Sequence, residues 1–134
     1  MSRVIRETST AKTYGIRIDV SCRYLPDHSR PVAKRYAFAY TVRIRNEGNV
    51  SVQLLSRRWL ITDKKSKVQE VQGAGVVGEQ PILHPGQTFE YSSSAVIETS
   101  LGEMRGTYKM HSVTGKTFDA TIAPFLLTLP HSLN

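Results

Sequence analysis

Apolar and polar residues alternate with a period of two along most of this chain. From Tyr14 to Tyr24 one set of positions reads Tyr14, Ile16, Ile18, Val20, Cys22 and Tyr24, and the positions between carry Gly15, Arg17, Asp19, Ser21 and Arg23. Successive side chains of a strand leave opposite faces, so this spacing predicts a strand with one apolar face. Tyr36, Phe38, Tyr40, Val42 and Ile44 repeat the pattern. Asn46-Glu47-Gly48-Asn49 follows, with the length and composition of a hairpin loop. Val50, Val52 and Leu54 begin the next strand, but Trp59 and Ile61 continue it offset by one. A one-residue slip turns side chains onto the wrong face, which predicts a β-bulge or bend near Leu55 to Arg57.

A polar turn at Asp63 to Lys67 leads to a short strand ending at Gln72. The stretch from Gly73 to Gly86 is irregular, and His84-Pro85-Gly86-Gln87 has the proline and glycine of a type II turn. Three further strands follow: Phe89 towards Ile97, Met104 to Met110, and Phe118 to Leu129. Pro124 places the last at an edge or a bulge. About seven short strands without a helix predict an all-β protein, an immunoglobulin- or fibronectin type III-like two-sheet sandwich of antiparallel strands. The domain is expected to span 14–130, with 1–13 a flexible tail and 131–134 loosely held.

At 134 residues the chain suits one domain able to bury a core without staples. Its one cysteine, Cys22, permits no internal disulfide and agrees with a reducing compartment. No apolar run reaches 18 residues, and Met1 to Thr13 lacks the apolar stretch of a secretory signal, so the expected location is cytoplasmic, with no membrane partner. The formal charge of +7 is uneven: residues 1–70 carry +9 and residues 71–134 carry −2. That asymmetry raises the prospect of an anionic partner, but no dense basic run marks a nucleic-acid site, and nucleic acid is not the expected ligand.

Gly73-Ala74-Gly75-Val76-Val77-Gly78 matches the G-x-G-x-x-G pattern of dinucleotide-binding folds. That chemistry needs a helix after the glycines, whose amides hold a pyrophosphate. Here Glu79-Gln80-Pro81 follows and the next element is a strand, so no cofactor is expected. A tight glycine turn between sheets, an amide nest for an anion and a partner-contacting loop all remain open. Ser56-Arg57-Arg58-Trp59 sets two arginines beside the only tryptophan, which is expected in the core with an arginine packed on it. His28, His84, His111 and His131 lack ligand spacing, and Ser92-Ser93-Ser94 lacks a nucleophile-elbow pattern, so no metal site and no catalytic residue is expected. The candidate binding residues, for a protein partner or for a nucleotide or polyphosphate, are Arg57, Arg58, Gly73, Gly75, Gly78, Glu79 and Gln80.

Ser56 to Asp63, Glu70 to Pro81, Leu83-His84-Pro85-Gly86, Phe89 to Ser93 and Gly102 to Tyr108 together resemble the ApaG family, over a span from about Tyr14 to Leu129. Ser66, Ser100 and Ala123 depart from the family pattern, at turns. The resemblance implies a fibronectin type III-like sandwich, a non-enzymatic role in protein–protein contact, and a genetic link to cobalt resistance and magnesium efflux. Related domains occur in eukaryotic F-box proteins and in a polymerase-interacting protein. The family has no established catalytic residues to carry over, and its glycine motif falls on Gly73, Gly75 and Gly78.

Overall fold

The period-two pattern is realised as nine strands in two antiparallel sheets, in a computed structural model that describes residues 5–130. The first sheet runs in the order β1 (Thr8–Thr13), β2 (Ile16–Tyr24), β3 (Tyr36–Asn46) and β7 (Thr88–Ile97). The second runs β5 (Val68–Ala74), β4 (Val52–Asp63), β8 (Leu101–Ser112) and β9 (Thr117–Thr128), with β6 (Ile82–Leu83) paired to the start of β4. The only helical pieces among the described residues are two three-residue 3-10 turns, Pro26–His28 and Pro31–Ala33. The chain is therefore the all-β sandwich its alternation predicts.

The core lies between the sheets, where the inward positions converge. Ile16, Ile18 and Val20 of β2, Phe38, Val42 and Ile44 of β3, and Met104, Tyr108 and Met110 of β8 are all buried. Each such side chain contributes roughly 1.5–3 kcal/mol by leaving water. Trp59 is 2% exposed and sits at the centre of an aromatic cluster, 5.2 Å from Tyr40 and 6.0 Å from Phe125 between ring centroids. The expected bulge in β4 is present: register against β8 shifts between Leu54 and Ser56, leaving Leu55 as the extra residue. It is the device that lets both Leu54 and Trp59 face the core. Gly86 has φ +87° and the Gln87 amide donates to the His84 carbonyl at 2.9 Å, as a type II turn requires. Pro124 meets both conditions expected of it, since β9 is an edge strand and its register against β8 shifts between Met104 and Gly106.

Three sequence expectations need correction. Residues 8–13 of the supposed tail form β1, paired with β2 from Thr8↔Ser21 to Thr13↔Ile16. Residues 1–4 of that tail and 131–134 lie outside the described residues. Tyr14 is not part of the β2 apolar face: with Gly15 it makes the two-residue turn between β1 and β2, at φ 46° and 81°, and its ring is exposed. Positive φ at both central positions matches the twist of a tight hairpin, so turn chemistry overrides the apolar alternation there. The loop after Asn46 is not a hairpin either. β3 pairs with β2 and β7 while β4 pairs with β5, β6 and β8, so this loop carries the chain from one sheet to the other.

The two sides of the sandwich are closed differently. On one side β1 and β2 pack against β9, the Leu126 amide donates to the Arg6 carbonyl at 2.7 Å, and the Thr121 amide donates to Thr13 Oγ1 at 3.1 Å. No comparable packing joins the opposite edges, β5 and β7, among the described residues. That seam is open.

Candidate functional site

The glycine motif occupies the end of β5 and a tight hairpin. Gly73 and Ala74 are ladder residues, paired with Arg57 and Ser56. The Gly75 amide donates to the Leu55 carbonyl at 2.9 Å, and Val76 and Glu79 exchange amide–carbonyl bonds of 2.8 Å each. Val77 and Gly78, at φ 44° and 80°, are the two central residues of that turn. Three loop amides are thus consumed by the fold, which leaves no converging row of free N–H groups from Gly75, Val76 and Glu79 for an anion. The Gln80 side chain is also structural, donating from Nε2 to the Leu55 carbonyl at 2.8 Å.

Arg57 and Arg58 part company, as neighbouring residues on a strand must. Arg58 lies on the outer face of its sheet and its Nε donates to Glu70 Oε2 at 2.9 Å. That guanidinium, with the Gln72 side chain, holds the Glu70 carboxyl below its ordinary range. Arg57 turns inward. Its guanidinium lies over Gly73, where a Cβ would stand 2.9 Å from both Nη atoms. Nη1 donates to the carbonyls of Ala74 at 3.1 Å and Gly75 at 2.8 Å. Gly73 is therefore the seat of an arginine. Among the described residues Arg57 forms no ion pair, and its Nε and Nη2 donate to none of them.

Around Arg57 the open seam gathers polar groups from four strands. Tyr40 Oη lies beside Ser93, the Tyr91 and Tyr108 hydroxyls bond one another, and the Trp59 ring N–H faces the Tyr91 hydroxyl without reaching hydrogen-bond geometry. Burial raises the phenol pKa of Tyr40, Tyr91 and Tyr108, so all three are neutral hydroxyls at physiological pH. Ser93 points to the same side as the buried Tyr91 and Ala95, yet it is exposed because nothing covers it across the seam. The result is a hollow of ≈ 290 Å³ walled by Arg57, Gln69, Val71 and Ser93 over a floor that includes Tyr40 and Trp59. A second hollow of ≈ 590 Å³ shares Ile61, Gln69 and Val96 with the first and extends to Lys34, Arg35 and Lys67. Together they form one groove between β5 and β7.

Of the seven candidate binding residues, only Arg57 lines this groove, with Gly73 beneath its guanidinium. Arg58, Gly78, Glu79 and Gln80 do not, and Gly75 contributes a carbonyl to Arg57. The tyrosines, Ser93 and the basic mouth of the groove were missed, since they come from distant strands; the one legible signal was the uncharged run Ser92 to Ile97. The basic first half of the chain is neutralised in part by local carboxylates. Lys12 pairs with Glu47 at 3.0 Å, Arg17 with Asp19 at 3.1 Å and Arg43 with Glu90 at 3.7 Å. Cys22 is poorly suited to nucleophilic work, because burial pushes its thiol up to about 12. Among the described residues no three His, Cys, Asp or Glu side chains gather as metal ligands, and no helix is long and apolar enough to cross a membrane.

Comparison with known proteins places these features in a family. The ApaG domain matches residues 26–112. The chain is 52% identical to Protein ApaG of Pseudomonas entomophila, over 90% of this chain and 96% of that one. It is 53% identical to Protein ApaG of Thiobacillus denitrificans, over 92% and 97% respectively. The crystal structure of a Bordetella pertussis protein described as ApaA superposes with a TM-score of 0.85 at 44% identity, covering 96% of this chain and 100% of that one. A protein from Archaeoglobus fulgidus shares the fold alone, with a TM-score of 0.53 at 10% identity over 92% of this chain and 99% of that one.

Proposed function

The chain belongs to the ApaG domain family, and from that premise we propose that it is a non-catalytic protein-interaction module working in the cytoplasm. The observation that carries this reading is the unequal closure of the sandwich. One pair of sheet edges is sealed by β1 and β9, whereas β5 and β7 stand apart and leave two strand edges beside a groove. An exposed strand edge offers a row of unpaired amides and carbonyls, and natural proteins normally guard it with lysine, proline or a covering element. From Ser92 to Ile97 β7 has none of these. The family's association with cobalt resistance and magnesium efflux would, on this reading, act through the partner.

The test is photo-crosslinking in cells, with the reactive residue placed at Ser93 in the groove or at Thr114 in the β8–β9 turn. A discrete protein adduct from Ser93 and none from Thr114 is the expected result. Failure to obtain any adduct above background from Ser93 would overturn the proposal.

Nucleotide or polyphosphate binding at Gly73–Gly78 is the second reading. Its support is Nε and Nη2 of Arg57 beside the loop, which donate to no acceptor among the described residues; against it, the loop amides of Gly75, Val76 and Glu79 already have partners. Titration with ATP, pyrophosphate and diadenosine tetraphosphate, followed by amide shifts at 73–78, decides it: no shifts at millimolar ligand would end the idea.

A further inference from the structure

We propose that the β5–β7 groove takes an extended segment of a partner protein as an added strand on β7, and that it selects a segment with two carboxylates four residues apart flanking an apolar residue. This deepens the interaction reading and rests on it. The edge comes first. β7 pairs with β3 along one side only, and the other side faces the groove. Strand addition to such an edge draws affinity from backbone hydrogen bonds and specificity from pockets that receive alternate side chains.

The charges lining the groove define the specificity. Arg57, Lys34, Arg35 and Lys67 face it against only two carboxylates, Asp63 and Glu98. Both acids are engaged: Asp63 Oδ1 accepts the Lys65 and Lys67 amides at 2.8 and 2.9 Å, and Glu98 meets Lys67 Nζ at 3.4 Å. Arg57, Lys34 and Arg35 form no ion pair among the described residues. Arg57 keeps donors beyond the two carbonyls it meets, and it is held by Gly73 in a half-buried setting where a carboxylate contact is worth more than at the open surface.

Spacing follows from the strand. Ser93 shares the hollow of Arg57, and Ile97 shares that of Lys34, Arg35 and Lys67. The two positions are four residues apart, about 13 Å at the usual strand rise. Side chains at alternate positions of an added strand point to one face, so positions one, three and five of the guest all enter the groove. The middle one meets Ile61, Val71 and Ala95, an apolar stretch between the two basic ends. The recognised pattern is therefore acidic–any–apolar–any–acidic, in extended form.

The probe is a synthetic peptide centred on Glu-Thr-Val-Thr-Glu, titrated into the full chain with backbone amide shifts recorded. Saturable shifts along Ser92 to Ile97, with weakening of at least tenfold when both Glu are replaced by Lys, are expected. Arg57→Glu and Arg35→Glu are each expected to weaken the acidic peptide by at least tenfold and to strengthen the lysine peptide. Arg35 is exposed, so its variant keeps the test valid should Arg57→Glu unfold the chain. Shifts confined to other strands, no shifts at millimolar peptide, or concentration-dependent pairing of two copies through β7 would each overturn the inference. If the Ser93 adduct in cells survives any of those results, the interaction reading stands and only this account of the partner fails.

Discussion

Ser66 and Gly75 illustrate opposite uses of left-handed backbone. Ser66 ends the Asp63–Lys67 turn at φ 65°, a region that costs a side-chain-bearing residue about 1–2 kcal/mol. Ser66→Gly is expected to stabilise the fold by roughly 0.5–1 kcal/mol, less than the strain removed because glycine frees the unfolded chain; a urea melt reads it. At Gly75, φ is +62° and a Cβ would stand 2.2 Å from the Glu79 carbonyl oxygen. Gly78 shares the positive φ but has open space around it. Gly78→Ala should therefore cost about 1–2 kcal/mol of strain alone, and Gly75→Ala clearly more. Equal losses in the same melt would contradict the packing role given to Gly75.

At the scale of elements, the crossover from β3 to β4 depends on Asn46. Its side chain is buried, donates from Nδ2 to the Val50 carbonyl at 2.8 Å and the Leu83 carbonyl at 2.9 Å, and accepts the Gly48 amide at 2.9 Å. Its backbone also bonds to Gln87 and Gly86. One residue thus ties the end of β3, the crossover loop, β6 and the turn before β7. Asn46→Ala strands buried carbonyls, each costing about 1–3 kcal/mol, so a loss of about 2–4 kcal/mol is expected in denaturant titration. Hydrogen exchange should show early opening of residues 82–87 in that variant. A loss below about 1 kcal/mol would mean that water replaces the side chain without cost.

The whole molecule is held by a core with a polar centre. Tyr40, Tyr91 and Tyr108 are folded as neutral phenols, their pKa values raised by burial. A raised folded-state value means stability that is complete below the ordinary tyrosine value of about 10 and lost as pH rises through the folded values. Thermal stability should hold from neutrality to about pH 10 on this account and then fall. Tyr91→Phe should make that alkaline fall shallower, although removing one partner of the Tyr91–Tyr108 bond weakens the fold at neutral pH. An alkaline profile unchanged in Tyr91→Phe would show that these phenols do not govern it.

Period-two alternation sufficed to determine the two-faced strands, the β4 bulge, the buried Trp59 and the sandwich class, because each follows from which side of a pleat a residue leaves. Local turn chemistry was likewise legible at His84–Gln87, where proline and glycine dictate the backbone. Tyr14 was misread because an aromatic in register with β2 looks the same whether it continues the strand or turns it. Partner choice among strands was not legible: the loop after Asn46 has hairpin composition, but whether it returns to β3 or crosses to the facing sheet is decided by where both apolar faces find cover. The groove belongs wholly to tertiary structure. Arg57 acquires its seat from Gly73 across a ladder, its polar neighbours from three other strands, and its openness from the failure of β5 and β7 to meet, none of which local sequence spacing encodes.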